Sequence, residues 1–191
     1  MIVTLTKNQV KALLACAAKN DVRYYLNGIL IDNSGDNGCI VLATCGHVLL
    51  AGKPDKTEYS ERGEWIVPRD ILELALKTKA KDFFIEVGGS PAGYINKLPF
   101  TCISGKFPDW RQLLSDATEH VPPDTAYQFD PDLMSIAHTA ANQFSEMNKA
   151  QRLLARVSKN GSQLYYHTRS CFALVSGLYA KKLANWARIP V

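Results

Sequence analysis

Residues 21–50 read DVRYYLNGILIDNSGDNGCIVLATCGHVLL, and this stretch decides how the rest of the chain is understood. Two apolar runs, 24–31 and 39–44, flank a turn rich in Asn, Asp, Ser and Gly at 32–38. Runs of β-branched and aromatic residues on either side of such a loop predict a hairpin. A second turn at Cys45-Gly46-His47 sends the chain into Val48-Leu49-Leu50. The expected element is a β meander with a polar Gly-His corner between two apolar strands.

Working outward, the pattern recurs. Residues 2–5 alternate apolar and Thr, a short strand. Thr6 can cap a following helix, with Gln9 at capping-box spacing. Val10, Leu13, Leu14 and Ala17 give that helix one apolar face to about Asn20. After a mixed-charge loop at 53–64, Trp65-Ile66-Val67 is a strand, and Pro68 suits a first helical turn because its missing N–H is not needed there. Ile71, Leu72, Ala75 and Leu76 make the buried stripe of a second helix. Strands are expected at 83–87, 92–95 and 100–104, with turns at 88–91 and 96–99. A third round begins with a strand at 127–129 and a helix capped by Asp130, with stripe Leu133, Ile136, Ala137, Ala140 and Phe144. Strands at 153–157, 164–167 and 171–175 follow, the first two joined by an Asn160-Gly161 turn. The repeated unit is βαβββ, present three times. A Pro-containing connector, 118–125, is the best boundary, and 176–191 is a tail of ambiguous structure.

The bulk numbers bound the class. At 191 residues and 47% hydrophobic content the chain can fold as one large or two small domains. No apolar run approaches the roughly 20 residues a membrane helix needs. The N-terminus lacks signal-peptide order, and the expected location is cytoplasmic with no membrane partner. Five cysteines without CxxC spacing point to reduced thiols rather than zinc. Residues through His120 carry 14 Lys+Arg and 14 Asp+Glu; from Val121 on there are 8 and 4, and no acid follows Glu146. The basic excess therefore lies in the C-terminal third, a hint of a polyanionic partner.

Arg23-Tyr24-Tyr25-Leu26-Asn27-Gly28, Ala43-Thr44-Cys45-Gly46-His47, Ile66-Val67-Pro68-Arg69 and Gly105-Lys106-Phe107-Pro108-Asp109-Trp110-Arg111 occur in order and at set spacing. Together they resemble the middle domain of the bacterial DNA polymerase III beta sliding clamp, whose motifs read RYYLNG, ATDGHRL and GRFPDYR. The likeness covers about the first 115 residues. It departs at Cys45, Val48 and Ser115, where the family has Asp, Arg and usually Pro. The resemblance implies an α+β fold of βαβββ units, with antiparallel sheets on one side and helices on the other. On that basis residues 1–120 are a complete clamp-like domain of two units. Residues 121–191 are a partial second one, a single unit plus a terminal strand. A half domain would expose sheet edges and an apolar helix face, so self-association is expected.

The four histidines lie on four different elements, and no GxSxG, Walker A or HExxH motif is present. A non-enzymatic protein without cofactor or metal is expected. Cys45 and His47 are better explained by turn packing than by nucleophilic catalysis. The resemblance implies a groove for clamp-binding peptides of polymerase-type proteins. Its walls would be Leu26, Thr44, Gly46, His47, Val48 and Leu49, with Ile189-Pro190-Val191 standing for the family's C-terminal Met-Pro-Met. It also implies weak, sequence-independent contact with double-stranded DNA through helix-borne cations: Lys7, Lys11, Arg69, Lys77, Lys79, Lys149 and Arg152. The expected function is an accessory of DNA replication working as a homo-oligomer. The alternative is a clamp-fold interaction or regulatory module that does not encircle DNA.

Overall fold

The computed structural model describes residues 1–36, 38–58, 61–115, 129–146, 154–157, 163–168 and 170–177; of 113–115 and 154–157 only the backbone is described. The expected boundary at 118–125, the 127–128 segment, the Asn160-Gly161 turn and the tail from 178 lie outside these residues.

Strand β1 (Ile2–Thr6) runs into helix α1 (Lys7–Cys16). The capping box expected from the sequence closes as drawn: Gln9 N donates to Thr6 Oγ1 at 3.2 Å, and Thr6 N donates to Gln9 Oε1 at 3.0 Å. The helix stops at Ala17, whose backbone is extended, rather than at Asn20. Its last carbonyls are taken up by a distant side chain described below. Residues Tyr24–Leu26 form a single 3-10 turn, not the start of a strand; β2 begins only at Gly28 (Gly28–Asp32). The meander continues with β3 (Ile40–Thr44) and β4 (Val48–Gly52). The loop expected at 53–64 contains a short strand, β5 (Lys56–Glu58).

The second unit is β6 (Glu64–Pro68), α2 (Arg69–Leu76), β7 (Asp82–Glu86), β8 (Ala92–Ile95) and β9 (Leu98–Thr101). Pro68 is the N-cap rather than a helical residue. The turn expected over 96–99 is tighter than that: Asn96 and Lys97 both take positive φ and make the reversal alone, so Leu98 and Pro99 already belong to β9. A short helix, α3 (Trp110–Ser115), follows. The third unit comprises α4 (Pro131–Phe144), β10 (Leu154–Val157), β11 (Gln163–His167) and β12 (Cys171–Ser176). Asp130 caps α4 as expected, accepting from Asp132 N and Leu133 N, and Pro131 opens the helix.

The first two units interlock by exchanging their first strands. β1 pairs with β7 of the other meander, and β6 pairs with β2. A five-stranded sheet results, in the order β5-β1-β7-β8-β9, and a seven-stranded one, β10-β11-β12-β4-β3-β2-β6. Every pairing is antiparallel. The larger sheet crosses the boundary expected between the second and third units, because β12 pairs with β4 in the register Leu174↔Leu49 and Val175↔Val48. Strand β4 is buried on both faces, which is why it reads as a continuous apolar run.

The exposed helix face expected of a lone third unit is instead covered from within the chain. Helix α4 packs along α1 and against β4, burying Ala137, Ala140, Ala141 and Phe144. The Phe144 ring comes so near β4 that a Cβ on Gly52 would lie 2.4 Å from it. Small residues on α4 allow this approach. Ile136, expected in the stripe, is partly exposed instead.

Candidate partner and nucleic-acid interface

The residues that carry the family resemblance converge on one corner. Asp21 and Asn27 close the 21–27 segment, with Asp21 N donating to Asn27 Oδ1 (2.9 Å) and Asn27 Nδ2 donating to Asp21 O (2.8 Å). Arg23 pairs with Asp21 at 2.7 Å and reaches across to donate to Cys45 O at 3.2 Å. That hydrogen-bonded pairing holds the half-buried Asp21 carboxyl at about 2, below its ordinary value. Gly46 has φ +93, and a Cβ there would meet the Arg23 guanidinium at 2.8 Å. The glycine is thus required both by its backbone and by the arginine laid over it. Thr44 Oγ1 donates to Val48 O at 2.7 Å and accepts from Gly46 N at 2.9 Å, which fixes the turn. Gly105 of the third motif packs against Tyr24 and Tyr25.

Of the expected groove residues, Gly46 and His47 are exposed, while Leu26, Thr44, Val48 and Leu49 are buried beneath them. Ile189, Pro190 and Val191 lie outside the described residues. Sequence reasoning missed two neighbours of the corner: Val22 is 95% exposed and Tyr24 56%. Nothing in their spacing announced this, because the 3-10 turn was taken for a strand. Strand β12 ends at the same place, with Ser176 N donating to His47 O at 2.9 Å.

The Trp110-Arg111 pair has a structural task. Asp32 is fully buried and accepts from Trp110 Nε1 at 2.8 Å, from Arg111 at 2.8 Å, and from the Ser34 backbone and hydroxyl. Burial would raise its carboxyl, but hydrogen bonds from Arg111, Ser34 and Trp110 outweigh it and hold the group below its ordinary range.

The expected DNA-facing cations divide. Arg69 is not free. Its guanidinium donates to the carbonyls of Leu14, Ala17 and Ala18 at 2.9–3.3 Å and pairs with Glu73 at 2.7 Å. It is the C-terminal cap of α1, satisfying orphan carbonyls and the negative end of the helix dipole. Lys7, Lys11, Lys77 and Lys79 do form a neighbourhood, joined by Lys81. Lys7 N donates to Lys81 O at 2.8 Å, and its ammonium lies 3.5 Å from Thr78 O. Lys149 and Arg152 lie outside the described residues. Helix α4 carries no Lys or Arg; Asp130 and Asp132 stand at its start. His138 is exposed, with its ring edge-on to Tyr166 at 5.6 Å. Cys16, Cys39 and Cys171 are buried, and burial pushes the Cys39 thiol up to about 11, the wrong direction for a nucleophile.

This fold and these motifs have counterparts. The beta sliding clamp of Vibrio cholerae serotype O1 is 32% identical over 126 residues, which is 61% of this chain and 34% of that protein. The Escherichia coli K12 beta sliding clamp is 30% identical over 114 residues, 56% of this chain and 31% of that protein. The chain is sliding-clamp-like. It spans about a third of the length of these curated relatives. No family model matches. Among solved structures, the Thermotoga maritima DNA polymerase III beta subunit superposes with a TM-score of 0.64 at 13% identity, covering 94% of this chain and 65% of that one. The Pseudomonas aeruginosa DNA polymerase sliding clamp gives 0.60 at 16%, covering 94% and 67%. Those structures establish the α+β clamp fold expected from the repeat. Among the described residues, no helix is long and apolar enough to cross a membrane.

Proposed function

We propose that this chain is a non-enzymatic, clamp-like accessory of DNA replication that associates with duplex DNA and holds partner peptides at the Gly46-His47 corner. The lysine neighbourhood around α1 and the end of α2 supports the DNA reading most. Five ammonium groups, two on α1 and three on the segment that follows α2, suit loose tracking of phosphates without base readout, with Glu146 the acid beside Lys7 through its hydrogen bonds to Thr6 and Asn8. Fluorescence anisotropy with a labelled duplex tests it. Neutralising about four phosphates implies a loss of roughly a hundredfold in affinity between 50 and 200 mM salt. Affinity unchanged over that range refutes phosphate tracking.

The peptide reading rests on Val22, Tyr24, Gly46 and His47, which present apolar and polar surface side by side, with Leu26 and Leu49 in the buried cluster on one face of the sheet and Val48 on the other. Titration with a fluorescent clamp-binding peptide should saturate within tens of micromolar, a span set by the affinity scale for short motifs of about −6 to −7 kcal/mol. The Tyr24→Ala and His47→Ala variants should weaken it. Assembly around DNA requires several copies. Among the described strands, the five-stranded sheet ends at β5 and β9 and the seven-stranded sheet at β10 and β6. Mass in solution and retention on circular against linear DNA test this step.

One observation favours the second reading, a clamp-fold module that does not encircle DNA. The third unit's helix brings acids and no cation to the helical layer. Salt-independent behaviour combined with saturable peptide binding would select it.

A further inference from the structure

Among the described residues, nothing covers the aromatic outer face of the five-stranded sheet. Phe84 on β7 is 51% exposed and Tyr94 on β8 is 48% exposed. Glu86 is the direct partner of Tyr94, so Phe84 sits on the diagonal to that ring, on the same face and within reach of it. Pro99 on β9 stands opposite Tyr94 and is exposed, and Ile2 on β1 stands opposite Glu86. The row Ile2–Glu86–Tyr94–Pro99 therefore crosses four strands, apolar except for one carboxylate.

Beside Tyr94 lies a cleft of about 260 Å³ lined by Met1, Ile2, Glu86, Val87, Ala92, Gly93 and Tyr94. Glu86 is the one acidic side chain among these lining residues, and the Met1 amino group at the cleft's edge donates to Val87 O at 2.7 Å rather than to Glu86. A second carboxylate flanks it: a Cβ on Gly88, in the loop after Val87, would lie 3.0 Å from Glu61 Oε2. Lys56, on the neighbouring strand β5, is ion-paired with Glu58. Among the described residues no cation pairs with Glu86. An apolar cleft with an unpaired carboxylate, a second carboxylate beside it and an open aromatic ring complements a cation carried between apolar side chains.

We propose that this face docks an extended peptide segment of a partner protein that carries Lys or Arg between apolar residues. The cation stacks over Tyr94 and pairs with Glu86, and its apolar neighbours cover Ile2, Phe84 and Pro99. The site is on the other sheet from the Gly46-His47 corner and stands or falls independently of it.

The probe is a fluorescein-labelled peptide Gly-Leu-Arg-Trp-Leu-Gly, with Glu in place of Arg as its counter-probe. Anisotropy should saturate with the first and not the second. The Glu86→Arg and Tyr94→Ala variants should each bind at least fivefold more weakly, with thermal melting showing them folded, while His47→Ala binds as wild type. Phe84→Thr supplies an independent loss if Tyr94→Ala fails to fold. No saturation by about 1 mM, the limit of weak specific affinity, overturns the proposal, as does equal binding by Glu86→Arg. Sedimentation velocity gives the remaining outcome. A dimer that Tyr94→Ala dissociates assigns the face to a second copy of this chain and also overturns it.

Discussion

On the outer face of the seven-stranded sheet, the segment after β9 lays Phe107 and Trp110 over Leu30, Leu42, Leu49 and Leu174, while the five-stranded sheet leaves Phe84 and Tyr94 half in water. Both sheets are assembled from strands of the repeated βαβββ units, and both bury their inner faces under helices. The difference is one strap of chain. Where the strap lies, the sheet is apolar on both sides and can take β12 as a further strand, with Trp110 stacked on Phe172 at 6.4 Å. Where it is missing, the strands alternate, as in Asp82-Phe83-Phe84-Ile85-Glu86 with every second residue buried. The strap thus joins the third unit to the first, and the bare face is left for a partner.

Removing the strap's anchor should have the largest effect. Trp110→Ala opens a cavity over Leu42 and Leu174 and leaves Asp32 without one donor, so we expect a loss of about 3–5 kcal/mol. Urea denaturation measures it. That loss is a large fraction of the roughly 5–15 kcal/mol available to a folded chain. A change below about 1 kcal/mol would mean the strap is not what closes this face.

The next largest effect concerns Asp32, which holds the strap electrostatically. Asp32→Asn keeps the shape but loses the charge that Arg111 and Trp110 share, at about 2 kcal/mol. The sign of the pH dependence follows from the lowered carboxyl. The unfolded chain binds the proton first, so this stabilisation is complete above the ordinary aspartate value of about 4 and is lost as pH falls through the lower folded value. Wild type should lose stability on acidification with a steeper slope than Asp32→Asn. Parallel slopes would show that Asp32 is not ionised in the fold.

These residues also show what the sequence could convey. The motifs around Tyr24, Gly46 and Trp110 marked the fold correctly because they touch one another: Arg23 lies on Gly46, Gly105 on Tyr24, Arg111 on Asp32. Periodicity located α1, α2 and α4, since each has an apolar stripe, and capping fixed two of their starts. It could not locate β5, whose Lys-Thr-Glu is an edge strand held by β1 alone. It could not locate α3, which has six residues and hence less than two turns of pattern. It gave Arg69 to solvent, because its partners are carbonyls more than fifty residues away. At the candidate site three of the four buried residues, Leu26, Val48 and Leu49, were visible as apolar, but which of them would be roofed over was not. That depends on β12 and the strap.

At the margin of the covered face, Gly46→Ala should cost about 1–2 kcal/mol, because alanine is strained at φ +93 and its Cβ displaces Arg23. Combining it with Arg23→Ala separates the two causes by a double-mutant cycle. If the steric clash dominates, the double variant recovers part of the loss. If the backbone dominates, the losses add.

The smallest effect belongs to the bare face, and its smallness is the point. Phe84→Thr keeps a β-branched residue in β7 and removes a ring that is already half in water, so stability should change by no more than about 0.5 kcal/mol. A large exposed ring kept at no benefit to the fold, beside an unpaired Glu86 and a second exposed ring, is what a surface built for contact looks like. The same substitution should therefore be silent in denaturation and visible in peptide binding. A loss of stability approaching that of Trp110→Ala would show instead that this face is already covered in solution, and the contrast between the two sheets would disappear.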